Sequence, residues 1–303
     1  MGGEYPVNAD VVVVGSVNLD LVLRVPAIPR PGQTMLASSR RMGHGGKGGN
    51  QAVAAAQMGS VVSLVGRVGQ DESGDKALQA LRSEGVDVRA ISRGTSPTGL
   101  ACVLVGPDGE NSIIVSAGAN AEVGAADVDA HRELVQAAAV TLCQLEVSVA
   151  AVERAALVCS GIFVLNPAPA MPLSAALLDS VDVLVPNAGE LATMVGDARQ
   201  PKSVEDAIEL ARKLPCPVVV VTLGANGAVV VDRERIEHLP PQPVDPVDTT
   251  GAGDVFCGVF AAGLATGRPL IEAAARAVEH ATASTLSPGA RWRAPDLPND
   301  IRH

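Results

Sequence analysis

The chain has 303 residues, of which 47% are apolar, 2% aromatic and 18% charged, and its formal net charge is −10. That length and apolar content predict a folded core and exclude disorder. The acidic balance, the lack of a long Lys/Arg run and the scarcity of stacking rings exclude a phosphate-tracking basic face, so neither nucleic acid nor an anionic membrane is an expected partner.

Asp10–Gly15 reads DVVVVG, a β-branched apolar run that predicts a buried strand. Leu21–Met42 alternates apolar and polar residues around Pro26, Pro29 and Pro31. Gly49–Met58 is Ala-rich with helical spacing, Val61–Val65 is a second strand, and Asp75–Glu84 is an amphipathic helix ended by Gly85. Thr98–Val105 and Ser112–Ser116 flank Pro107-Asp108-Gly109, a tight-turn signal between two strands. Val140–Leu145, Ile162–Asn166, Val181–Pro186 and Val218–Leu223 are further buried strands. Ala150–Val158, Leu173–Leu178 and Val204–Leu214 are the helices between them. Gly224–Val231 and Arg233–Leu239 read as a hairpin edge, and Val255–Ala265 and Leu270–Ala283 as buried helices.

Strands alternating with helices predict an α/β fold with a central, mostly parallel sheet flanked by helices. The half-exposed segments at about 21–42 and 98–116 predict a small antiparallel β-sheet that projects from one domain spanning 1–303 and acts as its lid. A half-exposed sheet with an apolar face must cover something. Cys102, Cys143, Cys159, Cys216 and Cys257 form no CxxC pair, and most sit in apolar runs. They read as buried free thiols, which implies a reducing compartment and a cytoplasmic location. The opening MGGEYPVNAD has no basic region followed by an apolar stretch, so no signal peptide is expected. No charge-free apolar run reaches the ~18 residues of a membrane span.

Several motifs fall at predicted strand and helix ends. Asp248-Thr249-Thr250-Gly251-Ala252-Gly253-Asp254 precedes an apolar helix. Glycines at a helix start let backbone N–H groups converge on an anion, and the helix dipole adds to the attraction. A carboxylate ending such a loop would repel phosphate, but it makes sense as a base that takes the proton of an attacking hydroxyl. An ordinary N-cap with turn glycines accounts for the same residues. Gly43-His44-Gly45-Gly46-Lys47-Gly48-Gly49-Asn50-Gln51-Ala52 also precedes a helix. It is not a Walker loop, because Gly48 stands where Ser or Thr is needed. Gly15-Ser16-Val17-Asn18-Leu19-Asp20 follows the first strand, where ligands of open α/β sheets bind, although Asn and Asp are common in solvated turns too. Pro186-Asn187-Ala188-Gly189-Glu190 suits either a helix cap or a hydrated magnesium site. Thr222-Leu223-Gly224-Ala225-Asn226-Gly227 closes a strand with a glycine turn.

Together these motifs resemble the ribokinase-like (PfkB) carbohydrate kinases from Val11 to about Ala290. DTTGAGD matches their C-terminal signature D-T-x-G-A-G-D, and GGKGGN matches their G-G-K-G-x-N. The resemblance implies ATP-dependent phosphorylation of D-ribose at its primary 5-hydroxyl, with Mg²⁺ and activating K⁺. Under it Asp254 is the base, and Gly251, Ala252 and Gly253 form the anion hole. Asn18, Asp20, Gly46, Lys47, Asn50 and Glu146 bind the sugar. Asn187, Thr222, Gly224 and Gly227 bind the nucleotide with Gly253, and Glu190 holds Mg²⁺ through water. Asp248 and Thr250 hold K⁺, with Ser284 and Gly289 completing the site. The C-terminal loop Leu286-Ser287-Pro288-Gly289-Ala290 departs from the family's T-R-x-G-A pattern, with Ser287 where Arg is common. Ser116-Ala117-Gly118-Ala119-Asn120 and Asn166-Pro167-Ala168-Pro169-Ala170 also fit the resemblance, which further suggests a homodimer clasped through the lid. The residue numbers 278–280 fall near the adenine pocket without assigning a contact. Fructose, deoxyribose, a ketodeoxy acid or a nucleoside are rival acceptors. A sugar-sensing protein without activity is a rival of another class. A nicotinamide dehydrogenase is disfavoured, since GSVNLD lacks the GxGxxG fingerprint.

Overall fold

The computed structural model describes residues 9–107, 110–197 and 199–291. The expectations for the first eight residues and for the turn at Asp108-Gly109 lie outside them. Among these described residues fourteen strands follow in chain order: β1 Val11–Val14, β2 Asn18–Arg24, β3 Ser39–Gly45, β4 Val62–Val68, β5 Val86–Asp87, β6 Ile91–Arg93, β7 Gly99–Val105, β8 Asn111–Ser116, β9 Val140–Gln144, β10 Ile162–Asn166, β11 Val183–Leu184, β12 Val218–Thr222, β13 Ala228–Asp232 and β14 Ile236–Leu239. The large sheet runs β14-β13-β12-β11-β10-β9-β1-β4-β5, with β6 also on β4. Its pairings are parallel except at one edge, where β12, β13 and β14 are antiparallel.

The side-chain alternation of the strands divides the core in two. Val11, Val13, Leu64, Leu142, Val164 and Val220 face the helices Lys47–Gln57, Ala252–Ala265 and Leu270–Ser284. Val12, Val14, Cys143, Leu165, Val219 and Val221 face the helices Val149–Val158, Ala188–Met194 and Val204–Ala211. Both faces are covered, which is why the central strands read as unbroken apolar runs.

The lid is a four-stranded sheet in the order β3-β2-β7-β8. β2 with β3 and β7 with β8 are antiparallel, as expected, while the central β2–β7 pairing is parallel. β2 and β7 each leave the main body at their first residue, and strands that leave in one direction must pair in parallel. Between Arg24 and Ser39 there is no strand. The three prolines of that stretch lack the N–H a ladder needs.

Other boundaries shift for local reasons. The helix expected over Asp75–Glu84 spans Glu72–Ser83, because Asp71 caps it by accepting from Gly74 N–H at 2.8 Å. The strand expected over Val181–Pro186 shrinks to Val183–Leu184. The hairpin turn expected at Gly224 is a short 3-10 segment, Gly224–Asn226, before β13. The helix after DTTGAGD begins earlier than its apolar run, at Ala252, and so draws Gly253 and Asp254 into its first turn. All five cysteines are free thiols. No helix among the described residues is long and apolar enough to cross a membrane.

Candidate active site

The helix Ala252–Ala265 begins beside the carboxyl ends of the parallel strands, and Gly251 opens it in the left-handed region at φ 79°. That conformation is easy only without a Cβ, and a Cβ at Gly251 would collide with the Ala290 backbone. The Ala252 N–H reaches the Thr249 carbonyl at 3.3 Å. Gly253 and Asp254 follow in the first turn, where backbone N–H groups have no partner inside the helix. Gly253 needs no glycine for its own backbone, and a Cβ there would meet nothing within 4 Å. Asp254 is only 8% exposed. Its Oδ2 accepts from Asn50 Nδ2 at 3.0 Å and its Oδ1 from Gln51 Nε2 at 3.0 Å. A carboxylate buried among neutral amides, next to open N–H groups, is the arrangement a general base beside an anion hole requires.

On one side of Asp254 lie the residues expected to bind sugar. Asn18 and Asp20 are not in a turn but open β2, two residues apart and on one face of the lid. Gly45 pairs across from Asn18, and a Cβ at Gly45 would run into the Asp20 carboxylate. Burial pushes Asp20 up to about 6, with Arg291 opposing and Glu146 and Asp254 adding to the rise. Gly46 caps the helix Lys47–Gln57 at φ 84°, which brings Asn50 to Asp254 one turn later. Glu146 Oε2 accepts from the Ser16 hydroxyl at 2.5 Å and from the Lys47 N–H at 3.1 Å, so this carboxylate also fastens the glycine loop. Burial works against the charge of Lys47, but Asp254, Glu146 and Glu190 outweigh it and hold the ammonium above its ordinary value. Lys47 therefore senses the carboxylates on both sides of Asp254, rather than those of the sugar side alone.

Sequence reasoning assigned no role to several residues in this region. Asn120 Oδ1 accepts from Val17 N–H at 2.9 Å, and its Nδ2 donates to Asn18 Oδ1 at 2.7 Å. Because the Val17 N–H can only donate, the Asn120 amide has one orientation, and the Asn18 Nδ2 is left to face away from it. Arg291, in the C-terminal segment, is 10% exposed in its side chain, lies 3.7 Å from Glu84 and reaches Asn50 Oδ1 at 3.4 Å. The stretch Ser116-Ala117-Gly118-Ala119-Asn120 is a sequence signal for the first. Nothing marked the second, since an arginine at that point follows no repeat or motif.

On the other side of Asp254 is a cavity of about 570 Å³. Asn187, Thr222, Gly224, Gly227 and Gly253, all expected to bind nucleotide, line it together. Its apolar walls come from Val244, Pro246, Phe256, Val278 and Ala281. Of the stretch 278–280, Val278 lines the cavity, and His280 is buried without lining it. Glu190 and Asn187 form a reciprocal cap: Asn187 N–H donates to Glu190 Oε2 and Glu190 N–H to Asn187 Oδ1, both at 2.8 Å. Burial raises Glu190, while the Asn187 N–H and Lys47 pull it down. Among the described residues no three carboxylate, imidazole or thiol side chains gather as a metal site. Magnesium needs fewer, because it keeps most of its waters.

Asp248 Oδ1 accepts from Thr250 N–H and Oδ2 from Gly289 N–H, both at 2.9 Å. These bonds hold it below the usual carboxylate range despite partial burial, with help from Arg41. The loop before one helix is thus joined to the loop after the next, and each carboxylate oxygen keeps a further lone pair. The Ser284 hydroxyl does not join them: it donates back to the Ala281 carbonyl at 2.7 Å, so its lone pairs and its own carbonyl are what it can offer a cation.

Residues 8–297 match the model of the pfkB family carbohydrate kinases. The chain is 36% identical to a ribokinase of Schizosaccharomyces pombe over 303 residues, covering 95% of each. It is 34% identical to a deoxyribokinase of Salmonella typhimurium over 261 residues, covering 83% of this chain and 84% of the other. The solved structure of Arabidopsis thaliana ribokinase complexed with ribose and ATP superposes with a TM-score of 0.88 at 31% identity, covering 95% of this chain and 96% of that one. Family match, near full-length relatives and shared fold agree with the geometry: the chain belongs to the pfkB family of carbohydrate kinases.

Proposed function

We propose that this chain is a single kinase domain that transfers the γ-phosphate of ATP to the primary 5-hydroxyl of D-ribose. The observation that carries this reading is the Asp254 carboxylate, held by two amides between the Asp20 face of the lid and the glycine-lined cavity. The likeness to a structure holding ribose and ATP supports it.

Ribose lies against Asn18, Asp20, Asn50 and Glu146, beneath the lid. Asp20, an acceptor-only group when ionised, takes two sugar hydroxyls, and Asn18 Nδ2 and Asn50 supply donors. Gly46 admits the sugar close to the backbone. ATP occupies the cavity, with its base against Val244, Val278 and Ala281 and its phosphates toward Thr222, Gly224, Gly227 and Asn187. Asp254 accepts the proton of the 5-hydroxyl as its oxygen approaches phosphorus in line. The N–H groups of Gly251 and Gly253 face the charge on the phosphoryl oxygens, that of Ala252 joins them by giving up its long bond to the Thr249 carbonyl, and Lys47 adds a buried cation. Glu190 would hold Mg²⁺ through water, and Asp248 with nearby carbonyls at Thr250, Ser284 and Gly289 would hold K⁺. Bound there, the two ions supply positive charge next to the phosphates and the anion hole. The lid excludes water, which competes with the sugar as acceptor.

A panel of ribose, deoxyribose, fructose, a ketodeoxy acid and adenosine, assayed with ATP and Mg²⁺ for ADP release, tests the substrate. Ribose is expected to give the highest kcat/KM. A higher value for deoxyribose, the substrate named for one of the relatives, would overturn the ribose assignment while leaving the kinase reading in place. K⁺ replaced by Na⁺ is expected to lower the rate, and equal rates in both would remove Asp248 and Thr250 from a cation site.

A further inference from the structure

Gln51 directly follows the GGKGGN stretch and holds Asp254, yet it has no chemical step in the mechanism above. It is wholly buried, as is Gln144, and Asn166 is 8% exposed. These three amides form one chain with the carboxylate. Asn166 Nδ2 donates to the Val185 carbonyl at 2.9 Å. Gln51 Nε2 donates to Asn166 Oδ1 at 3.1 Å and to Asp254 Oδ1 at 3.0 Å. Gln144 Nε2 donates to Gln51 Oε1 at 2.7 Å.

The direction of this chain is fixed at both ends. A backbone carbonyl can only accept, so Asn166 must turn its Nδ2 to Val185 and its Oδ1 to Gln51. An ionised carboxylate can also only accept. Gln51 must therefore offer both hydrogens of its Nε2, one to Asn166 and one to Asp254, and present its oxygen to Gln144. No flip of any one amide is tolerated without setting acceptor against acceptor in a buried site, at a cost of the kind that buried unpaired polar groups carry. Gln51 spans the gap between β10 and the first turn of Ala252–Ala265, two rigid elements.

We infer that Gln51, oriented by Asn166 and Gln144, is a positioning residue that fixes the plane of the Asp254 carboxylate so that one oxygen lone pair points at the sugar hydroxyl. Asn50 alone, bonded to the other oxygen, leaves that carboxylate free to turn about its last bond. The inference rests on the assignment of Asp254 as base.

The test is Gln51→Met, which keeps the volume and length and removes both donors, with Gln144→Met beside it. Steady-state kinetics, ribose binding by calorimetry and thermal unfolding are measured on each. Gln51→Met is expected to lower kcat by about 10- to 100-fold, the scale of a misaligned reacting group. Ribose KM and ribose Kd are expected to stay within about threefold of the parent, a split that general loosening of the site would not produce. Gln144→Met, which frees the Gln51 oxygen but leaves both its donors, is expected to lower kcat less. If Gln51→Met turns over ribose at the parent rate, the inference is wrong. It is equally wrong if kcat, ribose affinity and stability all fall together and a milder Gln51→Asn does the same. Asp254→Asn measured in the same series separates the two claims. A slow Asp254→Asn with a normal Gln51→Met removes only the positioning role, whereas a fast Asp254→Asn removes the base itself.

Discussion

Asp20 is where burial and chemistry pull in opposite directions. In the proposed role it would have to be ionised to accept sugar hydroxyls, yet it sits in a place that pushes it to about 6 from an ordinary 3.8. The folded state therefore holds this proton more tightly than the unfolded chain does. The stability it contributes is present at low pH and is lost as pH rises through about 6. Asp20→Asn never ionises, so it is expected to raise Tm by roughly 2–4 °C at pH 8 and by almost nothing near pH 4, while ribose binding is lost. In the parent, ribose KM is expected to rise as pH falls below about 6; a KM flat to much lower pH would contradict the role of Asp20. The sequence showed Asn18 and Asp20 as a pair able to share one face, which β2 bears out. It did not show Asn120, which orients Asn18 from 102 positions away. Nor did it show Gln51 and Gln144 as partners, because their link depends on how a helix sits over a sheet. Side-chain amides carry no local pattern that reveals their partner.

At the scale of elements, the helix Ala252–Ala265 illustrates what periodicity hides. Its apolar run starts at Val255, so the spacing placed Gly253 and Asp254 in a loop, yet the backbone already turns helically at Ala252. That turn lets successive amide groups point the same way. Gly253 is the informative position, since it has no positive φ and no neighbour that a methyl would strike. The fold would accept alanine there, and the space is open to a ligand. Gly253→Ala is therefore expected to leave stability unchanged or raise it by up to about 1 kcal/mol, following helix propensity. The same change is expected to lower kcat/KM for ATP by about tenfold or more, because the added carbon enters the phosphate space. Full activity in that variant would move the anion hole elsewhere. The parallel strands were legible because burial on both faces demands unbroken apolar runs. The short β5 and β6 were not, because two or three residues carry no period, and β11 was read longer than its two residues.

Across the whole molecule, the lid is the part whose surface is least explained by its own fold. Its edge strand β8 exposes Ile113, Ile114 and Val115 in succession, at 53%, 64% and 51%, and Met42 on the opposite edge strand is 52% exposed. An exposed apolar edge strand is a surface that soluble proteins usually cover. A homodimer in which two lids clasp would cover it. Ile114→Lys is then expected to yield a monomer by light scattering with a raised ribose KM, and a parent that is itself monomeric would dismiss the clasp. The lid also explains the chain order of the site: β2 carries Asn18 and Asp20 out of the main sheet, and β3 returns through Gly45 and Gly46 into the helix that delivers Asn50. The sugar contacts proposed for Asn18 and Asp20 thus depend on how the lid docks over Asp254. The most direct test is Asp254→Asn, assayed for ribose-dependent ADP release in parallel with ribose binding by calorimetry. Turnover lower by about three orders of magnitude or more, with ribose affinity nearly unchanged, is the predicted result. Turnover close to that of the parent would contradict it.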